Sequence, residues 1–137
     1  MLRRPLTLAA GVLAAAAFTV AAACSSSSTG PLAPFQPQIN NIADNFQFQA
    51  TGVTNVTWTY TYTWSNSGDS ATVNQATTTS AGSAILTILD NNGAQLYSQS
   101  LNANGTFGMT KGLHGSWTVK VVFTNYSGTV NFRVQKA

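Results

Sequence analysis

From Ile39 to the end of the chain, apolar side chains fall on alternate positions, and clusters of Gly, Asn, Asp and Ser interrupt the alternation at short intervals. A period of two is the spacing of a half-buried β-strand, and no stretch carries the 3.6-residue period of an amphipathic helix. The pattern predicts strands over 45–51, 55–64, 70–79, 83–89, 94–101, 104–110, 116–124 and 129–136. Short strands separated by turn signals at this spacing predict an all-β fold, an antiparallel β-sandwich of jelly-roll-like or Ig-like form.

Two hairpins follow from the turn residues. Asp90-Asn91-Asn92-Gly93 separates SAILTIL from AQLYSQSL, and Asn-Gly suits the tight turns whose twist matches the flanking strands. Asn125-Tyr126-Ser127-Gly128 separates two further alternating runs. Pairing Thr124 with Thr129 would set Val121 opposite Phe132 and Val119 opposite Val134, a sound core face. The other face would then hold Lys120 opposite Arg133, a like-charge pair.

The densest aromatic row is VTWTYTYTW, residues 56–64. Alternation places Val56, Trp58, Tyr60, Tyr62 and Trp64 on one face and four threonines on the other. Burying aromatics removes far more apolar area from water than burying threonines, so Trp58 and Tyr60 are expected in the core. Trp64 adjoins the turn Ser65–Gly68, Tyr126 sits in the second predicted turn, and His114 lies in the glycine-flanked loop Lys111–Gly115. These three are the candidate ligand-binding residues, since an exposed aromatic beside Asn or Asp can stack on a sugar ring.

Composition sharpens the β reading. Charged residues make up only 7% of the chain, there is no glutamate, and Thr, Ser, Asn and Gln supply the polarity. The formal charge of +3 includes Arg3 and Arg4 near the start. From residue 25 onward four basic residues (Lys111, Lys120, Arg133, Lys136) stand against Asp44, Asp69 and Asp90, a net of +1. A nearly neutral domain without a basic run gives no support for nucleic-acid binding.

The first 24 residues have a different character. Arg3 and Arg4 precede an apolar run from Leu6 to Val20, followed by small residues, which is the layout of a secretory signal peptide. No positive cluster follows to stop transfer, which argues against an uncleaved membrane span. Ala21-Ala22-Ala23-Cys24 resembles the lipobox of bacterial lipoproteins, with Ala21 where that family usually has leucine. The resemblance implies cleavage before Cys24, acylation of its sulfur and new amino group, and anchoring in the cell envelope. Ser25 after the cysteine implies delivery to the outer membrane in a diderm. Cys24 is the only cysteine, so disulfides do not hold the domain. SSSSTGPLAPFQPQ, residues 25–38, has a proline at every third position from Pro31 to Pro37 and reads as an extended spacer about 40 Å long at ~3.1 Å per residue. The expected organisation is a signal peptide 1–23, a lipidated Cys24 with its tether to 38, and a sandwich domain 39–137.

Catalytic and metal chemistry find little material. Glycoside hydrolysis calls for two carboxyl groups at a set separation, whereas Asp44, Asp69 and Asp90 each sit where a turn explains them. His114 lacks a GxSxG nucleophile element. One histidine without a usable cysteine does not make a zinc site, and Asp90, Asn91 and Asn92 fit a turn better than a calcium loop. No cofactor is expected. The stretch ILTILDNNGAQLYSQSL to GSWTVKVVFTNYSGTVNFRVQ is similar to small β-sandwich domains appended to secreted bacterial proteins, including pre-peptidase C-terminal-type domains. That similarity rests on a D-x-x-G turn, a G-x-W-T-V strand and a final Ser-Gly hairpin, and it implies a non-catalytic module. The expected function is thus a non-enzymatic lipoprotein with a structural or protein-interaction role, held to the membrane through Cys24. The alternative is a carbohydrate-binding module that meets an envelope polysaccharide.

Overall fold

The alternating segments are strands, and two of them run on well past their predicted ends. The computed structural model describes residues 30–137. The strands are β1 (Gln38–Ile42), β2 (Asn45–Asn66), β3 (Ala71–Gln75), β4 (Thr78–Leu89), β5 (Gln95–Ser100), β6 (Gly105–Gly108) and β7 (Gly115–Lys136). The leader, Cys24 and the tether as far as Thr29 lie outside the described residues. The strands form one antiparallel sheet in the order β1-β2-β7-β3-β6, with β4 also beside β7 and β5 beside β4.

β2 and β7 each contain 22 residues and pair from Asn45–Gln135 to Asn66–Gly115. Straight strands of that length would reach about 70 Å at ~3.3 Å per residue, far beyond a domain of this size. They bend instead. The register of β2 on β7 shifts three times between Ala50 and Trp58, and that of β4 on β7 shifts between Thr79 and Ser83. Along this line Gly52 and Asn55 in β2, Gly82 in β4, and Asn125 and Gly128 in β7 have positive φ. Extra residues in the left-handed region bend a strand, and Gly and Asn bear that conformation most cheaply.

The bends fold the sheet over on itself into an all-β, sandwich-like architecture. One half holds β1, residues 45–50 of β2, 130–136 of β7, β3 and β6. The other holds 56–66 of β2, 115–124 of β7, the later part of β4 and β5. Aromatic rings meet between the halves: Phe46 and Tyr62 at 5.3 Å, Phe48 and Tyr62 at 6.1 Å, Phe48 and Phe123 at 6.4 Å. Burial of each such ring stabilises the fold by roughly 2–3 kcal/mol relative to exposure. Opposite the fold line the halves are tied by the Asp44 amide donating to the Ser65 carbonyl (2.9 Å) and the Trp64 indole donating to the Ile42 carbonyl (3.1 Å).

Several expectations are corrected here. The Asp90–Gly93 hairpin forms, joining β4 to β5. The Asn125–Gly128 hairpin does not, because these residues bend β7 rather than reverse it. Val121 therefore lies between Tyr60 and Leu86, and Phe132 between Phe48 and Gln75. Lys120 sits between Thr61 and Thr87, and Arg133 between Gln47 and Asn74, so the like-charge pair does not arise. Seven strands replace the expected eight. The extended spacer expected over 25–38 is corrected from Gly30 onward. Gly30–Phe35 is a 3-10 helix in which Leu32 is fully buried and its amide donates to the Tyr60 hydroxyl (2.9 Å). The φ that proline imposes suits a 3-10 turn as well as an extended spacer, and burial of Leu32 decides between them.

Candidate functional site

The aromatic row of β2 is mostly core, with one exception. Tyr60 is buried as expected, and Val56 and Trp64 are buried with it. Trp64 and Trp117 are both fully buried and meet edge to face, 5.7 Å apart at 86°, and the Trp117 indole donates to the Leu113 carbonyl (2.7 Å). Tyr126 is also fully buried, because the bulge at Asn125 turns it inward against Phe123. Its hydroxyl donates to the Thr78 carbonyl (3.3 Å). Trp64 and Tyr126 thus offer no ring face to a ligand, which corrects their assignment as exposed candidates. His114 is exposed, without either of them beside it on a common open face. The opposite correction applies to Trp58, expected in the core and 51% exposed. It follows a register shift, where the inner face runs out to the fold line, and its ring lies against Gly30.

The three aspartates gather at the end opposite the fold line, and each is engaged by the fold. Asp69 pairs with Lys111 (3.5 Å). Asp44 accepts from the Ser67 amide (2.7 Å) and hydroxyl (2.8 Å), with Lys136 at 3.9 Å. Asp90 is nearly buried and accepts from the amides of Leu113 (3.0 Å), Ala94 (2.9 Å) and Asn92 (2.9 Å). Hydrogen bonds to the charged form favour it. The Ser67 amide above all holds the Asp44 carboxyl below the ordinary carboxylate value, and the Leu113 amide above all does so for Asp90. A depressed folded pKa means that this stabilisation is complete above the unfolded value, near 3.9, and is lost as pH falls through the folded values. Thermal melts between about pH 2 and 7 should therefore show an acid limb that is shallower in Asp90→Asn than in the parent.

A polar constellation that no sequence motif marks lies on the outer face of the first half-sheet. QFQ in β2 and NFRVQ in β7 point phenylalanine and valine inward and carboxamides outward. Register then aligns them across the sheet. One row reads Asn40, Gln47, Arg133, Asn74, Thr106, and the next reads Gln38, Gln49, Asn131. Two shallow depressions mark this face, one of about 350 Å³ over Gln38, Asn40, Gln47 and Gln49, the other of about 230 Å³ over Asn74, Asn131 and Arg133. Arg133 donates to the Gln47 side-chain oxygen (3.2 Å). The ion pairs among the described residues are Lys111–Asp69 and Lys136–Asp44, which leaves Arg133 without a carboxylate partner. Each carboxamide both donates and accepts, as sugar hydroxyls do, and the guanidinium matches a carboxylate.

Among the described residues no His, Cys, Asp and Glu cluster is placed to hold a metal ion, and no helix is long and apolar enough to cross a membrane. Comparison with family models, with curated proteins and with solved structures gives no match. The final Ser-Gly hairpin on which the similarity to pre-peptidase C-terminal-type domains partly rests is absent, since β7 is continuous there. Fold and site together describe a sandwich-like module with one carboxamide-lined sheet face.

Proposed function

We propose that this chain is a lipid-anchored, non-catalytic binding module of the bacterial cell envelope, and that its ligand is an acidic envelope polysaccharide held on the carboxamide face. The carrying observation is the row Asn40, Gln47, Arg133, Asn74, in which a guanidinium without a carboxylate partner among the described residues sits among carboxamides over two depressions. The anchor rests on the lipobox resemblance at Ala21–Cys24. The engagement of Asp44, Asp69 and Asp90 in turns and ion pairs supports a non-catalytic role.

Affinity electrophoresis of the folded domain through gels containing acidic polysaccharides tests this reading. Retardation is expected, and Arg133→Gln should weaken it about tenfold or more, the worth of a charge-assisted hydrogen bond. Lys120→Gln, on the outer face of the other half-sheet, should leave it unchanged. Equal loss in both variants would mean non-specific charge attraction and would reject the site.

One observation favours a second reading, a protein partner. Among the described residues the later half of β2 pairs only with β7. The Thr63 carbonyl accepts from the Asn41 side chain (2.9 Å) on the side away from β7, so the backbone groups of Thr59 and Thr61 face the same way. An edge without Lys or Pro invites addition of a strand from another protein. A partner captured from detergent extracts and lost with Thr61→Pro would favour this role.

A further inference from the structure

We infer that the uncharged end of the fold, with Trp58 at its corner, seats in the headgroup layer of the membrane that carries the anchor. The inference rests on the acylation of Cys24 proposed above. It starts from where the described chain begins. Gly30 lies against Trp58 and Tyr60, so closely that a Cβ there would be 3.2 Å from the Trp58 indole nitrogen and 3.1 Å from the Tyr60 hydroxyl. Cys24 is six residues earlier. Six residues span at most about 20 Å even when fully extended. The headgroup layer itself occupies about 5–8 Å outside the hydrocarbon. The corner at Gly30 and Trp58 is thus the part of the domain that cannot stand far from the lipid surface.

The distribution of charge suits that placement. Gly30–Gln38, the fold-line segments 51–58 and 78–83, and 124–129 contain no Asp, Glu, Lys, Arg or His. The Asp44–Lys136 and Asp69–Lys111 pairs and Asp90 occupy the opposite end. Trp58 and Asn66, at the charged end of β2, are eight residues apart, about 27 Å along an extended strand. Bringing the uncharged end to the membrane therefore desolvates no ion. Trp58 is half exposed, whereas the other two tryptophans are fully buried. An indole with an apolar body and one N–H is the side chain most at home between water and hydrocarbon. The exposed Ala33 and Pro34 of the 3-10 helix, and Thr57 and Asn55 beside Trp58 in sequence, add apolar and uncharged polar surface of the same character.

The test uses the full-length mature protein, purified in detergent and reconstituted into phosphatidylethanolamine–phosphatidylglycerol vesicles. Mass spectrometry first reads the acyl mass on Cys24. Because Trp64 and Trp117 are buried, the emission that surface quenchers reach belongs to Trp58. The expected result is a blue shift on reconstitution, with loss of the Trp58 share of emission when lipids brominated near the headgroup are used. That loss should be absent in Trp58→Phe. An acylated protein whose Trp58 stays as open to iodide as in soluble Cys24→Ala protein would overturn the seating and leave the anchor standing. A missing acyl mass would overturn both. Protection of Trp58 by soluble polysaccharide and not by vesicles would also overturn the seating, and would make the corner a sugar platform.

Discussion

Trp64→Ala is expected to destabilise the domain by about 3–5 kcal/mol, the usual cost of removing a large aromatic from a closed core. The indole is fully buried, stands edge to face on Trp117 and donates to the Ile42 carbonyl across the open end of the folded sheet. Its loss leaves a cavity, an unpaired aromatic partner and a carbonyl without its donor. For a domain of about a hundred residues, each kcal/mol lowers the melting temperature by roughly 4–8 °C, so a fall of about 12–40 °C is expected. Trp117→Ala should cost a similar amount. The double variant should cost less than the two single costs together, by the ~0.5–1.5 kcal/mol that an aromatic pair contributes beyond its buried area. Urea unfolding followed by circular dichroism measures all three. A Trp64→Ala protein that melts like the parent but no longer binds polysaccharide would return Trp64 to the ligand surface and reject its place in the core.

The class of fold was legible because period-two alternation needs no knowledge of partners. QFQ, YTYTW and WTVKVVF each state which side chains face inward wherever the strand lies. Strand continuity was not legible. Asn125 and Gly128 carry positive φ in β7, as does Gly52 in β2, and the same residue types with the same φ build turns. Locally, a bulge that bends a strand and a turn that reverses it look alike. What separates them here is pairing with a second long strand, β2 against β7, and that is a tertiary fact. The misplacement of Trp58 and Tyr126 follows from this. The sequence pattern places Tyr126 in a turn and Trp58 in mid-strand core, yet both flank the register shift on the fold line.

The candidate site was half legible. NFQFQ and NFRVQ could each be read as a strand with one polar face, whereas QINNI, which forms β1, does not alternate and lies outside the strands that the pattern predicts. Nothing in the order of the chain says that Asn40, Gln47, Arg133 and Asn74 fall into one row, because that depends on β7 running between β2 and β3. The uncharged end was hidden for the same reason. Residues 51–58, 78–83 and 124–129 come together only once the sheet is folded.

Gly82→Ala is the sharpest test of that folding. Gly82 has φ +69°, and a Cβ there would fall inside contact distance of the Thr124 and Asn125 carbonyl oxygens. Two backbones cross at this point, and neither can rotate away as a side chain would. The left-handed conformation alone costs a non-glycine residue about 1–2 kcal/mol, and displacement of β7 raises the expected total to about 3–5 kcal/mol, at the exceptional end for one methyl group. Gly52→Ala is the comparison. Gly52 has nearly the same φ, +65°, but no atom lies within 4 Å of where its Cβ would be. It should cost only the conformational part, about 1–2 kcal/mol. Denaturation midpoints of the two variants separate the terms. If both cost the same, β4 does not cross β7 that closely at the fold line. Trp58, the uncharged end and the facing aromatic rings would then lose the bend that brings them together.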